Sequence, residues 1–233
     1  MTSVRPLLKV SGISKSYGGR NVLCDVSLEV LPSTVVCLTG TNGSGKTTLL
    51  DIICGFIRSD IGSIKLRETE ISHYRPWQIA RLGIARTFQE TRPFSRLTIQ
   101  ENLLVASPMK DANSFFRIFF RPKLAADELR SARHRVDKIG TELFKGNTNV
   151  RSADLSFGQR RLLEIARVVC SNASLILFDE PVSALSSESR KQVVQIIRTL
   201  VSDGASVLFV EHDQNVIQEL ADRVYKLHAG KIV

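Results

Sequence analysis

Residues 40–47, with the sequence GTNGSGKT, constrain the fold of this chain more than any other segment. They match the phosphate-binding motif G-x-x-x-x-G-K-[ST] at every defined position. Glycines let the backbone N–H groups face an anion, and a helix beginning near Lys46 would add the positive end of its dipole. Lys46 would reach the β- and γ-phosphates, and the Thr47 hydroxyl would hold Mg²⁺. The motif therefore predicts a nucleoside triphosphate site.

The residues around this segment, called the phosphate loop below, favour the same interpretation. Residues 35–38 before it form a short, mostly β-branched apolar run. Residues 48–55 after it are typical of a helix that ends at a glycine. A glycine-rich turn without a ligand is the alternative, and the flanking strand and helix make it the weaker one.

Composition limits the classes of protein that the chain can belong to. Of its 233 residues, 43% are hydrophobic, so it can bury a sizeable core in one domain with an inserted lobe. No apolar run approaches the roughly 20 residues that cross a bilayer, and the N-terminus lacks the apolar core of a signal peptide. We therefore expect a cytosolic protein. The cysteines lie far apart, which predicts reduced and mostly buried thiols at Cys24, Cys37, Cys54 and Cys170.

The N-terminal part of the chain predicts a small antiparallel layer. Apolar and polar residues alternate over residues 22–30, which is the period of a half-buried strand, with Val22, Cys24, Val26, Leu28 and Val30 on the apolar face. Gly18 and Gly19 predict a turn from an earlier strand around residues 7–13. Tyr17 precedes that turn. An exposed aromatic ring there can stack on a nucleobase, although packing is the commoner role of a lone tyrosine.

Polar residues follow three further strand-like runs. Gln89 follows residues 84–88, Asp179 and Glu180 follow residues 175–178, and Glu211 and His212 follow residues 207–210. Apolar residues at helical spacing separate these runs, so the sequence predicts a doubly wound and mostly parallel α/β sheet. The polar groups would then converge on the edge that holds the phosphate loop.

The carboxylate pair at residues 179 and 180 has the spacing expected of a nucleotide-hydrolysing site. Asp179 would reach the Mg²⁺ of the nucleotide directly or through water. Glu180 would act as general base for an attacking water. A solvated turn is the alternative for an isolated pair, and the phosphate loop upstream makes it the weaker one.

Residues 155–159 open a predicted helix. Ser156 and Gln159 have the spacing of a capping box, so an ordinary helix start is one explanation. The same geometry presents backbone N–H groups, a hydroxyl and a dipole end to an anion.

These motifs together resemble the nucleotide-binding subunit of an ABC transporter, and the resemblance covers nearly the whole chain. The matching elements, in chain order, are the phosphate loop, Gln89 as the Q-loop glutamine, residues 155–159 as the LSGGQ signature, residues 175–180 as the Walker B strand with the catalytic glutamate, and His212 as the switch histidine. Tyr17 lies where the family places the aromatic residue that stacks on adenine. The order of these elements makes the match specific.

The resemblance implies ATP and Mg²⁺ as cofactors and a head-to-tail dimer of two such subunits. Glu180, His212 and Gln89 would be catalytic, and Thr47, Gln89 and Asp179 would hold the metal. The residues implied in nucleotide binding are Tyr17, Gly40, Asn42, Gly43, Gly45, Lys46, Thr47, Thr48, Ser156, Gly158 and Gln159. Each ATP would lie between the phosphate loop of one subunit and Ser156 and Gly158 of the other.

The resemblance also implies the domain organisation. We expect a P-loop NTPase core with an N-terminal antiparallel β-subdomain over residues 1–91 and 151–233, and an inserted helical subdomain over residues 92–150. That insert carries 11 Lys and Arg against 6 Asp and Glu within a chain of formal net charge +9. Its excess charge suits an anionic membrane or nucleic acid, or is a solvated surface. Phe115, Phe116, Phe119 and Phe120 share one helical face there, with core packing favoured over a partner-docking surface.

Several details point to a subgroup or depart from the family pattern. Phe157 replaces a glycine of the signature, and residues 82–89 and 97–103 resemble importers of branched-chain amino acids. Ser186 stands where the loop after Walker B usually carries Asp or Asn, which puts its contact across the dimer in doubt. Residues 224–227 and 231–233 predict a hairpin around Ala229 and Gly230. Relatives usually continue past it, so a natural or engineered truncation is one explanation of this end.

The sequence thus predicts an ATP-hydrolysing subunit on the inner face of a membrane, driving import of branched-chain amino acids or a related small solute. Its expected partners are permease subunits, a second ATP-binding subunit, identical or different, and indirectly a solute-binding protein. No nucleic acid is expected. The alternatives are a subunit of a lipid or polysaccharide exporter, which shares every catalytic motif, and a soluble DNA-repair or translation ATPase. The second class normally carries coiled-coil arms, zinc modules or two fused cassettes, which this sequence lacks.

Overall fold

The computed structural model describes residues 5–88, 93–108, 122–183 and 185–233. The described strands are β1 (Leu8–Tyr17), β2 (Arg20–Val30), β3 (Val35–Thr39), β4 (Ile61–Leu66), β5 (Thr69–Glu70), β6 (Ile84–Arg86), β7 (Leu175–Asp179), β8 (Ser206–Val210), β9 (Arg223–His228) and β10 (Lys231–Ile232). The described α-helices are α1 (Lys46–Ile53), α2 (Pro76–Arg81), α3 (Ile99–Ala106), α4 (Pro122–Phe144), α5 (Phe157–Cys170), α6 (Ser187–Ser202) and α7 (Gln214–Leu220).

The described chain forms two compact units. The first contains the described residues of Met1–Gln89, Ala173–Ser183 and Val193–Val233, and the second contains those of Glu90–Asn172 and Ala184–Gln192. Residues 151–172, which the sequence assigned to the nucleotide-binding core, therefore pack with the second unit. The reason is that α5 packs against α3 and α4.

The predicted antiparallel layer is a four-stranded sheet in the order β2-β1-β4-β5. Gly18 and Gly19 connect β1 to β2 with φ angles of 55° and 82°, a left-handed conformation that glycine adopts at little cost. The turn predicted between these strands is confirmed.

The predicted face of β2 is wrong in its first half. Val26, Leu28 and Val30 are buried as expected, but Leu23 is buried while Val22 and Cys24 are only partly so. Asp25 lies between the two halves with φ 54°, and the pairing advances two residues along β1, from Ile13 to Lys15, but three along β2, from Val26 to Leu23. Such an irregularity moves the following side chains to the opposite face, which strict alternation does not anticipate.

The second sheet has six strands in the order β10-β9-β3-β8-β7-β6. Neighbours from β9 to β6 pair in parallel, and β10 pairs antiparallel with β9. All residues of β7 and β8 are buried, as expected of central parallel strands. The mostly parallel α/β sheet and the C-terminal hairpin are confirmed. One hydrophobic core joins this sheet, the antiparallel sheet and α1, and it includes Leu8, Leu28, Leu50 and Leu177.

The second unit is helical in its described part. Thr98 begins α3 with a capping box, its hydroxyl accepting from the Glu101 N–H at 3.2 Å. Val136 of α4 and Leu163 of α5 are buried. The four phenylalanines predicted to share a helical face in this part of the chain lie outside the described residues. In the part of the chain that the structure describes, no helix is both long and apolar enough to span a bilayer.

Candidate functional site

The phosphate loop connects β3 to α1 in a conformation that requires its glycines. Gly40, Gly43 and Gly45 have φ angles of 152°, 76° and 105°. A Cβ at Gly40 would lie 2.1 Å from the Leu227 carbonyl oxygen, and one at Gly45 would lie 2.6 Å from Leu23 Cδ2. The loop is therefore shaped by close approach of neighbouring strands as well as by its own sequence.

Lys46 lies at the start of α1 with its ammonium group held by the loop. Its Nζ donates to the carbonyl oxygens of Gly40 at 2.8 Å and Thr41 at 3.0 Å. Burial lowers the pKa of Lys46, and the negative charges of Glu180 and Asp179 partly oppose that shift. The site thus concentrates one positive charge where the motif predicts phosphate oxygens.

The loop also carries a polar group suited to a ligand. Ser44 is 4% exposed, and its Oγ has no hydrogen-bond partner among the described residues. Buried polar atoms are normally paired, so an unpaired hydroxyl inside a predicted anion site fits a bound phosphate. Residues, loop shape and charge therefore fit the predicted nucleotide.

Two carboxylates follow β7 as predicted. Asp179 is 2% exposed, and its backbone N–H donates to the Thr87 hydroxyl at 3.1 Å. Glu180 has φ 51°, an uncommon value for a residue with a Cβ, and its N–H donates to the Val210 carbonyl at 3.1 Å.

The residues after β8 reach the same region. His212 Nε2 lies 3.5 Å from Glu180 Oε1. Glu211 is buried and accepts from the backbone N–H of His212 at 2.9 Å and of Val182 at 3.4 Å. Glu211 thereby fixes the backbone conformation at His212. This role of Glu211 was not predicted from the sequence. Its position between an apolar run and a predicted histidine is the signal that could have indicated it.

A cleft of about 760 Å³ in the first unit is lined by the phosphate loop and by the two carboxylates that follow β7. Eight of its lining residues were predicted site residues: Asn42, Gly43, Gly45, Lys46, Thr47, Thr48, Asp179 and Glu180. The cleft is also lined by Arg20, Asn21, Val22, Ala229 and Gly230, which sequence analysis did not assign to it. These residues reach it because the β9–β10 turn packs on β2, with the Cys24 N–H donating to the Gly230 carbonyl at 2.8 Å.

Arg86 is a further residue that sequence analysis missed. It connects two carboxylates, donating from one terminal nitrogen to Asp51 Oδ1 at 2.6 Å and from the other to Asp179 Oδ2 at 3.2 Å. Its side chain is only 4% exposed. An arginine inside an otherwise apolar strand is a signal for such a role, because a buried charge needs a partner.

Tyr17, predicted to stack on the base, is half exposed at the end of β1. It is not among the residues that line the cleft, and the Lys15 ammonium lies 5.3 Å from the centre of its ring. Its role in base stacking stays a prediction. Gln89, predicted to be catalytic and to bind metal, lies outside the described residues.

The predicted signature lies in the second unit at the start of α5. The Ser156 hydroxyl accepts from the Gln159 N–H at 3.3 Å, while the Gln159 side chain accepts from the Ser156 N–H at 2.9 Å. The structure thus contains the predicted capping box. Phe157 is 56% exposed, and a Cβ at Gly158 would meet no described atom within 4 Å.

Ser186, where the family usually carries an acid or amide, makes a local helix cap. Its Oγ accepts from the Ser189 N–H at 3.3 Å and lies 3.1 Å from the Ser189 hydroxyl. A serine can therefore begin α6 as an aspartate would.

The donors available for a metal are hard oxygens. Thr47 and Asp179 both line the cleft, and hydroxyl and carboxylate oxygens are the ligands that Mg²⁺ prefers. Within the described residues no group of three or more His, Cys, Asp or Glu side chains could hold a metal by itself. The donor set fits a Mg²⁺ that keeps waters and shares the phosphates of a nucleotide, rather than one bound by protein alone.

Comparison with known proteins agrees with this site. A family model described as ABC transporter matches residues 23–183. The high-affinity branched-chain amino acid transport ATP-binding protein LivG of Escherichia coli (strain K12) is 32% identical over 97% of this chain and 89% of its own length. BraF of Pseudomonas aeruginosa, which has the same description, shows the same identity and coverage. The ribose import ATP-binding protein RbsA 1 of Rhizobium meliloti is 32% identical over 99% of this chain but 44% of its own length.

Solved structures show the same fold. A nucleotide-free ATP-binding cassette from an ABC transporter has a TM-score of 0.81 and 28% identity, covering 98% of this chain and 90% of the other. A dimeric ATP-binding cassette in a post-hydrolysis state, bound to ADP and Pi, has a TM-score of 0.78 and 26% identity, covering 97% of this chain and 96% of the other.

Proposed function

The chain belongs to the ABC transporter family as an ATP-binding and ATP-hydrolysing subunit, and we propose that it drives the import of branched-chain amino acids or a related small solute. The observation that carries the chemistry is the cleft in which the phosphate loop meets Asp179 and Glu180. The solute class is supported by LivG and BraF, and RbsA 1 supports import of small solutes more broadly.

The residues of the cleft divide the work of hydrolysis. Lys46 and the backbone N–H groups of the phosphate loop hold the β- and γ-phosphates and offset their charge. Thr47 and Asp179 hold Mg²⁺, which when bound with ATP neutralises charge on the phosphates. Glu180 takes a proton from the attacking water, aligned for in-line displacement. His212 lies 3.5 Å from Glu180. It would orient that carboxylate and stabilise the charge on the γ-phosphate.

The assembly follows from the same proposal. Two ATP-binding subunits, identical or different, close on ATP so that Ser156 and Gly158 of one complete the cleft of the other. The exposed position of Ser156 and the open space at Gly158 support a ligand there. Transmembrane permease subunits bind this pair at the inner face of the membrane, and a solute-binding protein acts through them.

The hydrolytic part is tested by two substitutions with different expected effects. Glu180→Gln keeps the shape and removes the base, so ATP binding is retained and turnover falls by about 10²-fold or more. It also traps the closed dimer. Lys46→Ala weakens ATP binding itself. Glu219→Gln, on an exposed carboxylate paired with Arg198, is the matched control and leaves both quantities unchanged. Near wild-type hydrolysis by the Glu180→Gln variant would remove Glu180 from the role of base.

The solute is tested with the assembled transporter. Permease subunits and solute-binding protein encoded beside the gene are reconstituted with this subunit in vesicles, and ATP hydrolysis is measured with leucine or ribose. We expect stimulation by leucine. Stimulation by ribose alone would replace the solute and leave the hydrolytic proposal intact.

A further inference from the structure

The cleft depends on a side chain outside its lining, Arg86 of β6. Three groups surround its guanidinium. Asp51 accepts from one terminal nitrogen at 2.6 Å and Asp179 from the other at 3.2 Å, and the Phe88 ring centre lies 5.5 Å away. A buried arginine whose two terminal nitrogens are both paired has little freedom to reorient.

The two carboxylates that Arg86 joins belong to different parts of the site. Asp51 lies on α1, the helix that begins at Lys46, whereas Asp179 ends β7 and lines the cleft. The next residue, Thr87, accepts the backbone N–H of Asp179 at 3.1 Å. Residues 86 and 87 therefore hold both the backbone and the carboxylate of Asp179.

We propose that Arg86 is a positioning residue that clamps the Asp179 carboxylate to α1 and thereby sets the affinity of the cleft for Mg²⁺ together with ATP. This inference rests on the proposed role of Asp179 as a metal ligand. Through Oδ2 the guanidinium fixes the orientation of the carboxylate relative to the helix that carries Lys46 and Thr47. Hydrogen-bond partners behind a metal ligand typically change metal affinity or activity by about 10–100-fold.

The geometry needs arginine rather than any cation. The planar guanidinium presents separate nitrogens to the two carboxylates, while a lysine ammonium is a single point charge. Arg86→Lys therefore keeps the charge and loses the clamp. Removing the charge altogether would take a buried cation from between two carboxylates and destabilise the fold, which makes a neutral variant uninformative.

The test measures binding of a fluorescent, non-hydrolysable ATP analogue in EDTA and at increasing Mg²⁺. The readout is the factor by which Mg²⁺ tightens binding, and thermal melts in EDTA accompany it. For Arg86→Lys we expect the affinity in EDTA to stay near wild type while this factor falls by about tenfold. Asp51→Asn, which releases the other end of the clamp, lowers the factor in the same direction by a smaller amount. The double variant loses no more than Arg86→Lys, because both changes break one unit.

Arg198→Lys is the matched control, since it alters another arginine–carboxylate pair, the exposed one with Glu219 at 3.0 Å. It leaves the Mg²⁺ factor unchanged. A wild-type factor in Arg86→Lys, with only a lowered Tm, would make Arg86 a structural ion pair and overturn the inference. If Arg86→Lys does not fold, an unchanged factor in Asp51→Asn overturns it equally. Absence of Mg²⁺-dependent binding in the wild type would instead overturn the proposed function.

Discussion

The starts of α1 and α5 are both predicted to bind the phosphates of ATP, yet they are built in opposite ways. At α1 the loop glycines have positive φ angles and Gly45 leaves no room for a Cβ, while the buried Ser44 hydroxyl has no partner among the described residues. At α5 the Ser156 hydroxyl is exposed and already caps its own helix, and Gly158 is open. The first is a cradle shaped by its own unit. The second is a satisfied helix start whose glycine has no structural need within the described chain.

This difference indicates which of the two helix starts requires a ligand. A loop with an unpaired buried hydroxyl and glycines that leave no room for a side chain is suited to a ligand, and the predicted ligand is the nucleotide. A capped helix start is complete without one. A functional role of Gly158 would therefore come from contact with a group outside the described chain, such as a second subunit.

The largest expected effect comes from comparing the replacement of Gly45 and of Gly158 by alanine. Gly45→Ala forces a Cβ to 2.6 Å from Leu23 Cδ2 at φ 105°, so we expect a loss of about 1–3 kcal/mol in stability and a clear loss of ATP binding. Gly158→Ala meets no described atom within 4 Å and improves helix propensity, so the Tm is kept. Its ATP binding is kept as well, while its ATPase activity falls. Calorimetric melts and nucleotide titrations check this, and equal destabilisation of both variants would erase the distinction.

Mixing two inactive proteins tests whether the second glycine acts on another subunit. Gly158→Asp protein and Lys46→Ala protein each lack one half of every site. Random pairing should restore roughly a quarter of the wild-type sites, because half of the dimers are mixed and each holds one complete site. Wild-type hydrolysis should rise more steeply than linearly with protein concentration below the dimerisation constant. A linear dependence of hydrolysis on protein concentration, together with full activity of Gly158→Asp alone, would show that the start of α5 is only a helix cap.

Removing the two capping hydroxyls separates the structural part of Ser156 from its functional part. Ser156→Ala and Thr98→Ala each delete a hydroxyl of a capping box, at α5 and α3 respectively. Each should cost about 1 kcal/mol, which lowers the Tm by about 2–4 °C in a chain of this size. Only Ser156→Ala should also reduce the ATPase activity of the dimer. If the two variants have the same Tm and the same ATPase activity, Ser156 acts only as a helix cap.

The smallest expected effect concerns the C-terminal ends of α1 and α5. Unlike the starts of these helices, their ends resemble each other. Burial raises the pKa of Cys54, just after α1, and of Cys170, which ends α5, from 9.0 to about 12. Both thiols should resist a thiol reagent at pH 8, as should the buried Cys37, while the partly exposed Cys24 reacts. Because the native state retains these protons longer than the unfolded state, stability should fall as pH rises from about 9 towards 12. Fast labelling of Cys170 but not Cys54 would separate the two helix ends.

Local signals were sufficient for much of the fold and the site. The phosphate loop, the carboxylates after β7 and the capping box at Ser156 depend on residues a few positions apart, so motif and spacing predicted them. The β1–β2 turn and the parallel sheet followed from glycine pairs and hydrophobic period. The alternation in β2 misled because Asp25 adopts a positive φ that no period reveals.

The sequence by itself determined the segments that bind phosphate and end the strands, because their chemistry is written in neighbouring residues. Only the tertiary structure decided which distant groups support them. Arg86 joins Asp51, 35 positions away, to Asp179, 93 positions away, and the turn at Gly230 packs on Val22 to close the cleft. These contacts depend on the order of strands in the sheet. Hydrophobic period shows that a strand is buried, but it carries no information about which strand lies beside it.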